Sequence, residues 1–198
     1  NLLKDLKSNL KEEIYDKILF FVIQSGTSLK NGINTGIYEE TKLQDMNFLI
    51  KKYNKYSKEH NGDYMDKNIM LNRFNNNLEA LNIAPELGYI ETTIILNDLK
   101  NNELYDKIDL FFKICLESGK WKKWVNKDFN PYENKEKLIE ICGHYVFSHP
   151  EFENIKNIKD ENIKNKMKLN IHDFYKNSNI YFKKDNLRII DRVHPPIN

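Results

Sequence analysis

Three short β-like runs, each followed by a helical segment, constrain the fold of this chain more than any other feature. The runs occupy residues 18–23, 55–59 and 80–84. Apolar residues recur at helical spacing in the segments around them, which are 1–17, 39–53, 67–76 and 88–99. Alternation of this kind predicts a parallel sheet with helical crossovers, which are nearly always right-handed. The first run, ILFFVI, is continuously apolar, and we expect it to form a strand buried on both faces.

The second half of the chain predicts helices and no further strand. Helical patterns cover 103–117, 135–147 and 158–176, and a loop or tail with Pro195 and Pro196 ends the sequence. Three parallel strands cannot close a TIM-type (β/α) barrel, which needs eight. The predicted sheet is therefore either small and open or part of a larger barrel, and the short apolar strands favour the barrel. We expect 1–100 to form C-terminal βα units of a barrel and 101–198 a helical C-terminal extension packed on it.

Polar side chains follow each of the three predicted strands. Gln24, Ser25 and Thr27 follow the first, Glu59, His60, Asn61 and Asp63 end the second, and Asn82 and Glu86 mark the third. The βα loops of a barrel gather at one face, where its active site is built. The strand ends therefore predict a functional site.

His60 and the carboxylates beside it are the strongest candidates for chemistry. An imidazole with a carboxylate three residues on, Asp63, is a plausible ligand pair for Zn²⁺ or a similar divalent ion. The same groups could act as acid and base. The competing interpretation is that His60 caps a turn through Asn61 and Gly62, a dipeptide typical of turns.

The other polar candidates also have two interpretations. Glu86 follows Pro85 and could join the site or complement the positive end of the next helix. Asn82 needs a partner if it is buried, so it contacts a substrate or knits the strands together. Gln24 and Thr27 could help to bind a phosphate, or they could form a simple turn.

Composition excludes some classes of function. A net charge of +2, from 31 basic and 29 acidic residues, gives no electrostatic case for nucleic acid. No apolar run reaches the roughly 18 residues that a membrane span needs.

Cys115 and Cys142 form no CxxC pair, so we expect buried free thiols and a cytoplasmic protein. His144 and His149 are five apart, which favours packing or capping over a shared metal.

Four segments in order resemble one family of carbohydrate proteins. They are FVIQSGTSL, SKEHNGDYM, LEALNIAPELG, and WKKW with EICGHYVFSHPEF. Together they resemble the GatZ/KbaZ family, the non-catalytic subunits of class II tagatose-bisphosphate aldolase, and the related sugar-phosphate 4-epimerases. The matching residues are Gln24, Gly26, His60, Asp63, Tyr64, Pro85 and Leu87. The likeness runs over about residues 15 to 180, whereas Glu59, Asn61, Gly62 and Glu86 depart from the family pattern.

This resemblance implies a TIM barrel of which the chain holds the C-terminal half. It implies an epimerase or aldolase acting on a ketose or ketose phosphate, with a divalent metal such as zinc. On that basis we expect His60 and Asp63 as metal ligands and Asp63, Glu86 and Glu59 as catalytic groups. The expected substrate contacts are Gln24, Asn82, Thr27 and Asn61. Two alternatives stay open for the function: a non-catalytic subunit that stabilises an aldolase, and an interaction module that binds through Trp121. The expected protein partner is an aldolase subunit or further copies of this chain in a homo-oligomer.

Overall fold

The computed structural model of the chain describes residues 2–30 and 32–175. The chain divides into two compact units, Asn1–Ile83 and Ala84–Asn198. Sequence patterns placed the division near residue 100 instead. The difference arises because the helix that follows Ala84 packs with the helices after it and so belongs to the second unit.

The first unit is a mixed α/β structure built on a parallel sheet. In chain order its elements are α1 (Leu2–Asn9), α2 (Glu12–Tyr15), β1 (Phe20–Ile23), β2 (Leu29–Lys30), β3 (Ile33–Asn34), α3 (Glu40–Lys51), β4 (Tyr56–Glu59), α4 (Lys67–Asn75) and β5 (Ala80–Leu81). The sheet has the order β1-β4-β5, and both strand pairs are parallel. Helix α3 connects β1 to β4, and α4 connects β4 to β5. The predicted parallel sheet with helical crossovers is confirmed, and within the described residues it does not close into a barrel.

The described helices of the first unit cover one face of this sheet. Ile23 packs in a buried cluster with Leu43 and Ile50 of α3, and Phe21 and Leu81 pack against the same cluster. On the other face Phe20 is 42% exposed and Val22 is 57% exposed. The expectation that the first strand is buried on both faces is therefore wrong. An unbroken apolar run does not show how many faces are covered, because that depends on the side to which each crossover helix returns.

The segment between β1 and α3 contains a short antiparallel hairpin, β2–β3. Gly32 lies in its turn with φ +73°. The ends of the segment cross at Gly26 and Gly36. A Cβ at Gly26 would collide with the carbonyl oxygen of Ile37, and a Cβ at Gly36 would collide with that of Gly26. Gly26 also has φ +108°, so glycine is required there for both reasons.

The described part of the second unit contains helices and no strand. Its helices are α5 (Pro85–Asn101), α6 (Tyr105–Ser118), α7 (Lys135–Cys142), α8 (Phe152–Ile155) and α9 (Asp160–Tyr175), with 3₁₀ turns at Lys120–Lys123 and Gly143–Tyr145. Helix α5 contacts α6, α7 and α9. Phe111 of α6 meets Phe152 of α8 edge-on, with their ring centroids 5.5 Å apart. Cys115 and Cys142 are buried in this unit, as predicted.

No helix in the described part of the chain is long and apolar enough to span a membrane. The predicted tail with Pro195 and Pro196 lies outside the described residues.

Candidate functional site

Three polar residues form one row across the carboxyl edge of the sheet. Gln24, His60 and Asn82 are each the first residue after β1, β4 and β5. The strand register pairs Ile23 with Glu59, and Glu59 with Leu81, so the residues that follow these three are neighbours. Side chains alternate along a strand, which puts the row on the face that carries no helix of the first unit.

Backbone hydrogen bonds extend the pairing of β4 and β5 and fix Asn82 opposite His60. The Asn82 amide donates to the carbonyl of Glu59 at 2.9 Å, and Gly62 donates to the carbonyl of Asn82 at 2.9 Å. The Asn82 side chain then meets the imidazole, with 3.1 Å between Asn82 Nδ2 and His60 Nδ1. The sequence placed Asn82 inside the strand, whereas it lies just beyond the strand's end.

The amide of Asn82 selects the tautomer of His60. When Asn82 Nδ2 donates to Nδ1, the neutral ring carries its proton on Nε2 and can donate it. When the amide is turned over, Asn82 Oδ1 accepts from Nδ1–H, and Nε2 becomes a free base or ligand atom. Because His60 is exposed, either form of Nε2 is available to a bound molecule. The pair can thus deliver or accept a proton at one defined atom.

Gln24 and Thr27 contact each other at the next position of the edge. Gln24 Nε2 donates to the carbonyl oxygen of Thr27 at 2.5 Å and lies 3.2 Å from its hydroxyl. Gln24 is exposed, whereas Thr27 is only 3% exposed. Of these two predicted substrate contacts, Gln24 is the one that solvent reaches.

The turn after β4 is held by an asparagine from the hairpin. Asn34 Nδ2 donates to the carbonyls of Asn61 at 2.8 Å and Asp63 at 3.0 Å. Asn61 has φ +60°, a conformation that asparagine tolerates, and Gly62 packs directly on the Leu81 side chain. The chain does turn after β4, but the turn lies at Asp63 and Tyr64 and not at Asn61 and Gly62 as predicted. It leaves Asn61 exposed and Asp63 only 2% exposed.

Glu59 lies on the opposite face of β4 from His60, in a buried ion pair. Its Oε2 accepts from Arg73 Nη1 at 2.7 Å, and its Oε1 accepts from the backbone amide of Ser25 at 2.5 Å. The Ser25 hydroxyl lies 3.1 Å and 3.0 Å from the two carboxylate oxygens. Glu59 is 0% exposed and Arg73 is 1% exposed. The predicted catalytic carboxylate of Glu59 therefore has hydrogen-bond donors at both of its oxygens.

Arg73 ties the helix α4 to the loop that follows β1. Besides Glu59, it donates to the Ser25 hydroxyl at 2.5 Å and to the Gly26 carbonyl at 2.9 Å. Its guanidinium stacks over the ring of Tyr38, 4.4 Å from the centroid. Burial lowers the pKa of Arg73, and the charge of Glu59 opposes this change. Arg73 and Glu59 therefore hold the loop that begins beside Gln24, and they do so from the helix-covered face of the sheet.

Sequence reasoning missed Arg73 although a signal was present. Only three of the 31 basic residues are arginine, and Arg73 is the only one before residue 188. A chain this biased toward lysine keeps an arginine where a planar, multiply donating cation is required, as in a buried carboxylate pair.

Glu86 belongs to the second unit. It lies in the first turn of α5, directly after Pro85, and is half-buried. That position agrees with an acidic residue complementing the positive end of a helix.

The predicted metal ligands do not make up a complete metal site. Among residues 2–30 and 32–175, no three His, Cys, Asp or Glu side chains are grouped so that they could hold a metal ion. A catalytic zinc ion takes three protein ligands. His60 and Asp63 supply two at most, and the neighbouring Glu59 is bound to Arg73 on the other face.

His144 and His149 of the second unit are used in packing and capping. His144 Nδ1 is buried and has no hydrogen-bond partner in the described region, and its ring packs on Gly88. Burial and then the charge of Lys123 lower the pKa of His144 from 6.5 to about 4. His149 Nδ1 instead accepts from the backbone amide of Glu151 at 3.2 Å. These contacts agree with the expectation of packing and capping.

Neither a protein-family model nor a curated protein matches the chain. The resemblance to the tagatose-bisphosphate aldolase subunits therefore depends on the residues quoted for it above.

Proposed function

We propose that the first unit forms the substrate site of a carbohydrate enzyme, an epimerase or aldolase acting on a ketose or ketose phosphate. The observation that carries this proposal is the row of Gln24, His60 and Asn82 at the carboxyl edge of a parallel sheet. In open α/β sheets and in barrels, ligands bind at this edge. Two amides beside an imidazole offer the mixed donors and acceptors that a polyol needs.

The chemistry of the proposal uses the His60–Asn82 pair. Epimerisation and aldol cleavage both require a proton to move to or from a sugar oxygen or carbon. Asn82 holds the imidazole, and His60 Nε2 donates or accepts that proton. Gln24, on the adjacent strand, contributes its remaining amide oxygen to a sugar hydroxyl.

The proposal also includes the architecture: we propose that this sheet is part of a TIM-type barrel. In such a barrel, helices cover the outer face of the sheet and the inner face fills the centre. The described helices of the first unit cover one face, and Phe20, Val22 and Tyr56 on the other face are exposed. Further strands would bury that face and place the polar row at the mouth of the barrel.

We propose no step through a metal ion, because the donor set is incomplete. A divalent ion held by His60 and Asp63 would polarise a substrate carbonyl. Metal analysis of the purified protein tests this part separately. If the wild type holds a stoichiometric metal ion and His60→Ala does not, the metal ion belongs in the mechanism.

The proposal is tested with a panel of ketoses and ketose phosphates, followed by NMR for epimers and cleavage products. His60→Ala should abolish turnover, and Asn82→Ala should lower kcat because the imidazole loses its tautomer control. Asn97→Ala, which removes an exposed amide from α5, is the matched control and should retain activity. Absence of both binding and turnover across the panel would overturn the proposal.

A second candidate is a non-catalytic subunit that stabilises a class II aldolase. The observation in its favour is that Glu59 is committed to Arg73 while no three-ligand cluster exists in the described region. This candidate predicts that the protein co-purifies with an aldolase subunit and that His60→Ala leaves that aldolase's activity unchanged.

A further inference from the structure

Lys58 lies at the centre of the sheet face opposite the described helices of the first unit. It is two residues before His60 on β4, so both side chains leave the chain on this face. The strand register places Lys58 between Val22 of β1 and Ala80 of β5. Among the side chains that these three strands present on this face, it is the only amine.

No described residue holds the amine of Lys58 in place. It forms no ion pair and no hydrogen bond within the described part of the chain, although the residue is half-buried. Two other lysines of the first unit are engaged: Lys51 pairs with Glu79, and Lys55 donates to the carbonyl of Tyr15 at 2.9 Å. Lys58 can therefore turn its amine toward a bound molecule without breaking a contact with these residues.

The chemistry of the proposed function needs a group that accepts electrons from the substrate. Aldol cleavage, and removal of a proton beside a carbonyl, both leave an electron pair on carbon. A divalent ion accepts this pair through the carbonyl oxygen, but His60 and Asp63 supply two ligands at most. A lysine amine does the same work when it forms a Schiff base with the carbonyl. Lys58 supplies such an amine one row away from His60.

We propose that Lys58 is a catalytic residue that forms a Schiff base with the carbonyl carbon of a bound ketose. The inference rests on the proposed function and adds a covalent step to it. The nitrogen of Lys58 bonds to the carbonyl carbon, and the carbonyl oxygen takes up protons and leaves as water. The bond between the next two carbons then breaks, and its electron pair moves to the iminium nitrogen and gives an enamine.

His60 moves the protons of this sequence. Its Nε2 accepts the proton of the hydroxyl that becomes the released aldehyde, and it returns that proton to the enamine carbon. Water then hydrolyses the iminium ion and restores the amine, so the cycle needs no oxidant and no reductant. Two residues along a strand span about 6.6 Å, and a lysine side chain extends over much of that length. A small ketose joined to Lys58 therefore has its hydroxyls beside His60 and Asn82.

Borohydride trapping with the full chain tests for the Schiff base. Sodium borohydride adds hydride to the iminium carbon and leaves a stable secondary amine, which adds the mass of the ketose less one oxygen atom. Dihydroxyacetone, the smallest ketose, and fructose are the probes, and peptide mass mapping locates the adduct. Because a bound ketose is held beside it, Lys58 should be labelled roughly tenfold or more faster than Lys113, an exposed lysine of α6.

Variants at Lys58 separate the amine from its charge. Lys58→Met and Lys58→Arg should both lose the adduct and the turnover of ketoses, because a guanidinium keeps the charge but forms no Schiff base. Lys113→Met should retain both, and circular dichroism verifies that the variants fold. A chelator such as EDTA should leave the labelling of Lys58 unchanged, because no metal ion takes part in this step.

The outcomes distinguish this inference from the proposed function. Turnover that persists in Lys58→Met, or turnover by a wild type that is labelled equally at Lys58 and Lys113, overturns the role of Lys58 and leaves the sugar site standing. Preferential labelling of Lys58 without turnover of any ketose supports the Schiff base and overturns the epimerase or aldolase. Absence of both preferential labelling and turnover overturns both.

Discussion

Replacing Glu59 with glutamine tests whether this residue holds the fold or takes part in chemistry. The substitution keeps the shape of the side chain but leaves the guanidinium of Arg73 buried without its counter-charge. The pair is 2.7 Å apart, and its side chains are 0% and 1% exposed. Breaking a buried pair from one side costs about 3–5 kcal/mol. We therefore expect Glu59→Gln to lower the free energy of unfolding by about that amount.

Two matched variants separate the ion pair from a general effect of substitution. In Glu59→Gln combined with Arg73→Met, no unpaired charge remains, and the introduced side-chain amide can still accept from the backbone of Ser25. This double variant should lose less stability than Glu59→Gln alone, and a double-mutant cycle measures the coupling. Asp109→Asn breaks the exposed pair with Lys135 in the second unit and should change stability by less than about 1 kcal/mol.

Urea denaturation followed by circular dichroism measures these differences. With a denaturant slope of about 2 kcal/mol per molar, the midpoint of Glu59→Gln should fall by roughly 1.5–2.5 M. Hydrogen exchange of 20–23 and 56–59 should accelerate, because both strands adjoin the pair. A loss smaller than about 1 kcal/mol would refute the reasoning. The carboxylate would then be accessible to water, and Glu59 would return as a candidate acid or base.

Three further predictions concern other buried or capping groups. The pKa of His144 in the folded protein lies at about 4, below its usual 6.5. The unfolded state therefore takes up a proton at higher pH than the folded state does, and roughly 3 kcal/mol of stability should be lost as the pH falls from 6.5 to 4. Urea titrations at several pH values measure this loss, and a profile unchanged in His144→Gln would contradict it. Burial raises the pKa of Cys115, and Cys142 is buried beside it, so neither thiol should react with Ellman's reagent until urea unfolds the protein; rapid labelling of native protein would show that they are accessible. The Asp66 carboxylate accepts from the backbone amides of Asn68 and Ile69 at the start of α4; Asp66→Ala should cost about 1 kcal/mol in thermal or urea unfolding and Asp66→Asn much less, whereas equal losses would argue against capping.

Local patterns predicted α3, β4 and α4 to within a few residues, whereas the single helix expected over 1–17 is divided into α1 and α2, and the β2–β3 hairpin was not predicted. Helix α4 was expected at 67–76 and occupies Lys67–Asn75. The second strand was expected at 55–59 and occupies Tyr56–Glu59. These elements depend on periodicity and on neighbouring residues, which the sequence displays directly. The row of Gln24, His60 and Asn82 was also within reach, because parallel strands align their carboxyl ends.

The face of the sheet on which each side chain lies, and the contacts between residues distant in sequence, could not be predicted in the same way. Glu59 and His60 were placed in one polar cluster, although strand alternation sends them to opposite sides of the sheet. The partner of Glu59 lies 14 residues away on α4, and their contact exists only because that helix returns over one particular face. Asn34 reaches the turn after β4 from a hairpin 27 residues earlier, which no local pattern reveals.

The opposite orientation of Glu59 and His60 has an evolutionary consequence. Along β4 and the residue after it, every second position is buried on the helix-covered face, and the positions between them lie on the opposite face, where we propose that the ligand binds. A library of substitutions across 56–60 should therefore show tolerance that alternates with a period of two. Ser57 and Glu59 would resist change, whereas Lys58 and His60 could vary and still leave a folded chain. New ligand preferences could then arise by single substitutions that carry little penalty in folding.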